Sequence, residues 1–303
     1  MAGSSSPVVN GMSVDVEDYY HVSAFESVVS RDDWDRMESR VEANTDRLLA
    51  LFDEFSVRST FFVLGWVAER YPALIRRLAT GGHEIASHGY AHRLVYADSK
   101  DAFRADLRRA SAAIEEASAQ RVTGYRAPSY SITRQSIWAL DVLIEEGYAY
   151  DSSIFPIRHD RYGIPSSPRH PYRLTRTAGT IVEAPASTVR RAGMNLPIAG
   201  GGYFRLLPYR WTQWGMGQLN VREGRPAIFY IHPWEVDPAQ PRLAGSALSR
   251  FRHYRNLDQT ESRLRRLLTD FRFSTIRDVL AGQSIADVAP DWAAPVTQQA
   301  ARV

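Results

Sequence analysis

The sequence predicts an α/β protein, a distorted (β/α)7-type barrel with a C-terminal extension. Three observations predict it. Short apolar runs alternate with amphipathic stretches at helical spacing, the order needed by parallel strands joined by crossover helices. About seven such units follow one another, enough to close or nearly close a ring. Most of the apolar runs end in ionisable or polar residues, as strands do when chemistry sits at their carboxyl ends.

Taken in order, residues 8–16 read as a first strand ending in carboxylates. Leu48, Leu49, Leu51, Phe52 and Phe55 recur at helical spacing and predict a helix over 41–55. The β-branched and aromatic run 59–64 is a buried strand. One helix is expected over 66–79, stopped by Gly81 and Gly82. A third strand follows at 83–87, then a strongly amphipathic helix at 101–117 and a strand-like run at 122–127. A helix at 133–146 is closed by Gly147, with strands at 148–154 and 180–183. The apolar strand 227–231, a helix over 257–271 and a last strand or short helix over 273–280 complete the pattern. The stretch 156–214 is rich in Pro, Gly and Arg and reads as long loops over one barrel face. Residues 1–7 read as a flexible tail, 8–283 as a single domain, and 284–303 as a frayed tail.

Composition narrows the function classes. With 44% hydrophobic and 23% charged residues, the 303-residue chain is an ordinary globular protein with a sizeable core. Its 37 basic and 34 acidic residues leave a net charge of +3, without the concentrated basic footprint of a nucleic-acid binder. Arg250, Arg252, Arg255, Arg263, Arg265 and Arg266 form one basic region. It reads as a solvated helix face, the alternative being attraction to an anionic polymer or membrane surface. The absence of cysteine excludes disulfides, thiolate metal sites and cysteine nucleophiles. The opening residues lack a basic segment followed by a long apolar one, and no stretch approaches the roughly 18 apolar residues of a membrane span. The expectation is a cytoplasmic protein with no membrane span.

The strand ends carry the chemistry. Asp15, Glu17 and Asp18 end the first strand, His88 and His92 follow the third, and Arg126, Asp151 and His232 follow later ones. On one helical turn, histidines four apart would face one metal ion. A carboxylate from another strand end would complete a three-ligand site with a position open for water. Three close carboxylates need positive compensation, which a metal ion and Arg126 would provide. One carboxylate can ligate while another serves as general base. His232, with Asp151 available to orient and charge it, reads as a general acid.

The order acidic cluster, HxxxH, Arg126-Ala127-Pro128-Ser129-Tyr130, Asp151 and late His232 resembles the polysaccharide deacetylases of carbohydrate esterase family 4 over about residues 8–236. The segments SVDVEDYYHV, GYRAPSYSI, DSSIFP and FYIHPWEVD resemble a subgroup found with exosortase and exopolysaccharide gene clusters, and about 190–280 is similar to its C-terminal extension. The resemblance implies an N-deacetylase of N-acetylhexosamine units in an exopolysaccharide, with a divalent metal, most often Zn2+, Co2+, Mn2+ or Ni2+ being the alternatives. It implies Asp15 as catalytic base paired with Arg126, His88 and His92 as ligands, and His232 as the acid paired with Asp151. The third ligand is Glu17 or Asp18. Strand alternation favours Glu17, and the family's aspartate tips the choice slightly to Asp18. The N–H of Ser129 or Tyr130 is the expected oxyanion donor. Gly201, Tyr203 and Trp234 are candidate sugar contacts, and Phe155 stands where the family usually has tryptophan. A small-molecule amidohydrolase of the same fold and a non-catalytic sugar-binding protein are the rival functions.

Overall fold

A computed structural model of the chain describes residues 7–293. Of the expected tails at 1–7 and 284–303, residues 1–6 and 294–303 lie outside the described residues. The strands are β1 (Val9–Val16), β2 (Thr60–Val63), β3 (Glu84–Ser87), β4 (Gly124–Tyr125), β5 (Tyr150–Asp151), β6 (Tyr172–Arg176), β7 (Gly179–Glu183), β8 (Thr188–Arg191), β9 (Met194–Pro197), β10 (Ile228–Ile231), β11 (Arg272–Ser274) and β12 (Ala286–Val288). The α-helices are α1 (Val41–Glu54), α2 (Gly65–Arg70), α3 (Pro72–Thr80), α4 (Lys100–Ser118), α5 (Ala139–Glu145), α6 (Gly201–Leu206), α7 (Tyr209–Gly217), α8 (Ala247–Tyr254), α9 (Leu257–Asp270) and α10 (Ile276–Ala281).

Strands β10, β1, β2, β3, β4, β5 and β7 are mutually parallel neighbours in that order. The gap between β10 and β7 is spanned by irregular hydrogen bonds. Ser187, just past β7, donates its N–H to the Ile228 carbonyl (3.3 Å), and Tyr230 donates to the Ala199 carbonyl (2.7 Å). At this seam Gly200 has φ of +119°, and a Cβ there would run into the Tyr230 carbonyl, so no other residue fits. The ring is therefore a distorted barrel of seven parallel positions.

Alternation along β1 separates two environments. Met12, Val14 and Val16 join the large apolar cluster shared with the surrounding helices. Ser13 and Asp15 face the interior, where both accept from the Arg126 guanidinium. Helix α4 lays Phe103, Leu107, Ala110 and Ile114 along one buried stripe, and truncating a leucine in such a stripe costs about 2–5 kcal/mol. Gly65 lets α2 approach α4, because a Cβ would come within 2.7 Å of the Ala110 Cα. A smaller cluster containing Phe62, Ala86, Tyr150, Ile276 and Val279 fills the barrel's lower interior, with α10 as its plug.

Three expectations need correction. The helix expected over 66–79 is two helices, because Pro72 has no N–H to continue α2 and instead starts α3. The stretch 156–214 is not only loops. It contains β6 and β7, the β8–β9 hairpin, α6 and most of α7. Within the expected frayed tail, β12 pairs in parallel with β6. No helix among the described residues is long and apolar enough to cross a membrane.

Candidate active site

Register brings the functional side chains together. Val16 pairs with Val63, Val63 with Ser87, and Ser87 with Tyr125, while Val14 pairs with Ile231. The residues that follow, Glu17, His88, Arg126 and His232, therefore leave the ring at neighbouring places around Asp15. Ligating atoms of Glu17, His88 and His92 lie within 4.8 Å of one another, and all three residues are buried.

These three residues fit a divalent cation by their chemistry. The His88 Nδ1 lies 2.8 Å from the Arg126 carbonyl, so it carries the proton and leaves Nε2 with a lone pair. Burial pulls the His88 pKa down to about 4, which keeps the ring neutral and able to ligate. Burial opposes ionisation of Glu17, but His92, His232 and His88 outweigh it and hold the carboxyl well below the usual carboxylate range. Glu17 Oε2 lies 2.8 Å from His92 Nε2 and has no hydrogen-bond donor. Two imidazoles and a carboxylate form a set that suits zinc.

The histidines do not share a helical turn. They flank a loop in which Gly89 and His92 both have positive φ, 74° and 50°. The loop, not helical periodicity, folds both rings onto one point, with centroids 5.4 Å apart. A left-handed histidine costs conformational energy that the surrounding packing must offset.

Asp18 is not at this centre. Its carboxylate accepts from the Arg40 and Val41 N–H groups at 2.7 and 3.0 Å and from Ser39 Oγ, capping the start of α1. The slight preference for Asp18 as ligand is thus overturned, because the strand's alternation carries Glu17 inward with Asp15 and sends the next residue away. Asp15 Oδ1 accepts from Arg126 Nη1 at 2.7 Å. Its Oδ2 lies 3.7 Å from His232 Nε2. Arg126 is fully buried against the Phe62 ring and also reaches Ser13 and the Ser152 carbonyl.

His232 is not oriented by Asp151. Its Nδ1 lies 2.6 Å from Glu235 Oε1, and Glu235 Oε2 accepts from Arg205 Nε at 2.5 Å. Burial disfavours the charged imidazole, but Glu235, Glu17 and Asp15 outweigh it and push the His232 pKa up to about 9. Burial likewise opposes ionisation of Glu235, yet Arg205 and His232 bring its pKa down to about 2. Asp151 instead faces Glu183 across the β5–β7 pair and accepts from Ser153. Burial pushes Asp151 up to about 6 and Glu183 well above its ordinary range, so the two carboxyls hold a proton between them. Sequence reasoning missed Glu235 and Arg205. The three-residue spacing of His232 and Glu235 around Pro233 was the available signal, since it lets the glutamate close back on the histidine at the start of a 3-10 turn.

A cleft of about 230 Å³ opens over Asp15, Glu17, His88, His92 and His232. Ser129 and Tyr130 line it and have consecutive positive φ values of 53°. The Tyr130 N–H is engaged by the Ala127 carbonyl at 3.1 Å, which leaves the Ser129 side of the turn for an incoming oxyanion. Of the expected sugar contacts, only Trp234 lines this cleft. Its ring stacks with His232 and His253, its Nε1 reaches Glu17 at 3.3 Å, and the residue is buried, which leaves little of the ring to stack on a sugar. Gly201 packs under the Tyr230 ring. Tyr203 lines a neighbouring groove beside Pro156 and Pro197. Phe155 is fully buried behind Tyr130.

The fold and these side chains define a barrel protein in which a candidate His–His–Glu cation site, a carboxylate and an imidazole converge at the strand ends, an arrangement that suits hydrolysis. Residues 30–147 match the polysaccharide deacetylase family, and residues 152–281 match a domain of unknown function, DUF3473. A peptidoglycan deacetylase of Helicobacter pylori is 27% identical over 125 residues, covering 41% of this chain and 42% of that protein. A chitooligosaccharide deacetylase of Rhizobium leguminosarum bv. trifolii is 32% identical over 99 residues, covering 33% and 43%. The chain thus spans less than half the length of these curated relatives. A crystal structure of a putative polysaccharide deacetylase from Mycobacterium smegmatis shares the fold, with a TM-score of 0.61, 22% identity and coverage of 94% of this chain and 97% of that one. Over residues 30–147, and in its fold, the chain is similar to polysaccharide deacetylases. Its site draws on both matched regions, with His88, His92 and Arg126 in the first and Arg205, His232 and Glu235 in the second.

Proposed function

We infer that this protein hydrolyses N-acetyl groups from N-acetylhexosamine units of a polysaccharide, releasing acetate. The observation that carries the inference is the convergence of Glu17, His88 and His92 beside Asp15 and His232. Glu17, His88 and His92 would hold a divalent ion, zinc suiting the donor set best. When bound, that ion supplies the electrophile that acidifies water and polarises the acetyl carbonyl.

The chain's own residues supply the proton movements. Asp15, fixed by Arg126, accepts the proton that the attacking water loses as its oxygen bonds to the carbonyl carbon. The backbone turn at Ser129 faces the developing oxyanion. His232, kept protonated by Glu235, gives its proton to the amide nitrogen as the C–N bond breaks, and acetate and a free amine leave. The resemblance of residues 190–280 to the exosortase-associated subgroup favours an exopolysaccharide as the polymer.

The experiment is an acetate-release assay on N-acetylglucosamine oligomers and polymers, with and without chelator, followed by zinc re-addition. Chelator-sensitive release that zinc restores, absent in Asp15→Asn, is the expected result. Ammonia release from small amides without acetate release from any acetylated sugar would replace this conclusion with a small-molecule amidohydrolase. Sugar binding without turnover would replace it with a binding protein.

A further inference from the structure

The rim of the cleft carries charge that the proton movements above do not use. Arg161 and Arg252, both exposed, line the cleft above Asp15, Glu17 and His232. His159, Arg161 and Tyr162 continue from that cleft into an adjoining groove of about 440 Å³, which adds exposed Arg134. Among the described residues, Arg134, Arg161 and Arg252 have no carboxylate partner. Asp160, the acidic residue lining this groove, is paired with His159 at 2.9 Å. Other arginines are paired. On the barrel wall Arg77 is tied to Asp46, Arg104 to Glu145 and Glu146, and Arg265 to Glu54.

The rim is also held in place. The Arg252 carbonyl accepts from Arg205 Nη1 at 3.0 Å, so the end of α8 is tied to the residue that fixes Glu235. His159 stacks on Tyr162 at 3.8 Å and 14°, giving the groove a flat wall beside Arg161. Guanidinium groups without counter-ions along a concave path attract planar carboxylates and can bind them through two hydrogen bonds.

We propose that the substrate is an acidic polysaccharide, and that Arg161 and Arg252, with Arg134 in the adjoining groove, bind carboxylates on the sugar units flanking the acetylated one. This rests on the deacetylase reading but is separable from it. The charges line a concave path leading to the reacting groups, which suits a polymer chain better than the flat face of an anionic bilayer.

The test compares two oligomers of equal length with the zinc-loaded protein. One alternates N-acetylglucosamine with glucuronate (a hyaluronan fragment), and the other is a neutral N-acetylglucosamine oligomer. Equilibrium affinity is measured by calorimetry and acetate release in parallel. At low ionic strength the acidic oligomer binds roughly tenfold or more tightly, as charge-assisted pairing predicts. The advantage disappears at about 1 M salt, where the Debye length is about 3 Å. It collapses toward one in R161A/R252A and is partly kept in R161K/R252K. Equal affinities, a preference that survives R161A/R252A, or binding to phosphatidylserine vesicles but to neither oligomer would each overturn the proposal. Absence of acetate from both oligomers would refute the deacetylase reading alone, because the affinity ratio still decides this one.

Discussion

The geometry makes Glu235 the residue that positions His232, and Glu235→Gln tests this directly. In the native site one carboxylate oxygen lies 2.6 Å from His232 Nδ1 and the other 2.5 Å from Arg205 Nε, with the glutamate fully buried. The substitution keeps the shape and removes the charge. A hydrogen bond to a charged group contributes about 1.5–3 kcal/mol, and loss of that much transition-state stabilisation slows the chemical step by roughly 10- to 100-fold. Glu235 is fully buried and does not line the cleft, whereas His232 and Trp234 do. The loss therefore falls on kcat, with KM little changed. The assay is steady-state acetate release, run beside zinc content and a thermal melt. The melt matters because Arg205 is left buried without its partner, which costs about 3–5 kcal/mol when a pair is broken this way. Glu235→Asp, which keeps the charge, should recover part of kcat. A folded, zinc-loaded Glu235→Gln protein with kcat within twofold of the native value would refute the assignment.

Asp151→Asn should keep kcat within a few-fold, because Asp151 faces Glu183 and His232 is held by Glu235; a loss comparable to that of Glu235→Gln would show that Asp151 acts on His232 after all. Glu17→Gln should lose stoichiometric zinc, whereas Asp18→Asn should keep the metal and lower stability by about 0.5–2 kcal/mol through its cap on α1; metal analysis and melts separate the two. Burial, aided by Arg58, lowers the His83 pKa from 6.5 to about 4. Its neutral form stabilises the fold above pH 6.5, and that stability is lost as pH falls from there toward 4, up to about 3 kcal/mol in all. The slope of melting temperature against pH should be shallower in His83→Gln, and an unchanged slope would exclude His83 as the cause.

Much of the architecture was legible because it is written locally. The apolar run of β10 and the striped face of α4 each identify their element without knowledge of the partner. The parallel order follows from alternation of strand and helix. Ligand candidates were legible because charged residues at the end of a buried strand have few structural uses. What escaped depended on direction at single bonds. Whether residue 17 or 18 points inward is settled by where β1 stops pleating and by the free N–H groups at the start of α1 that capture Asp18. The Glu235–Arg205 pair joins residues 30 apart in sequence through α6, a helix inside the region read as loops. The convergence of His88 and His92 was anticipated for a helix, and a loop with left-handed turns achieves it instead.

The placement of β10 against β1 has a consequence for how the protein is made. Gly11 pairs with Ile228 and Val14 with Ile231, so the ring is completed by contacts between segments more than two hundred residues apart. A ribosome extends the chain at roughly 5–20 residues per second, so β1 waits on the order of ten seconds or more for β10. Until then one edge of β1 is open to other chains. Asp15, on β1, and His232, just past β10, come together only when these two strands pair.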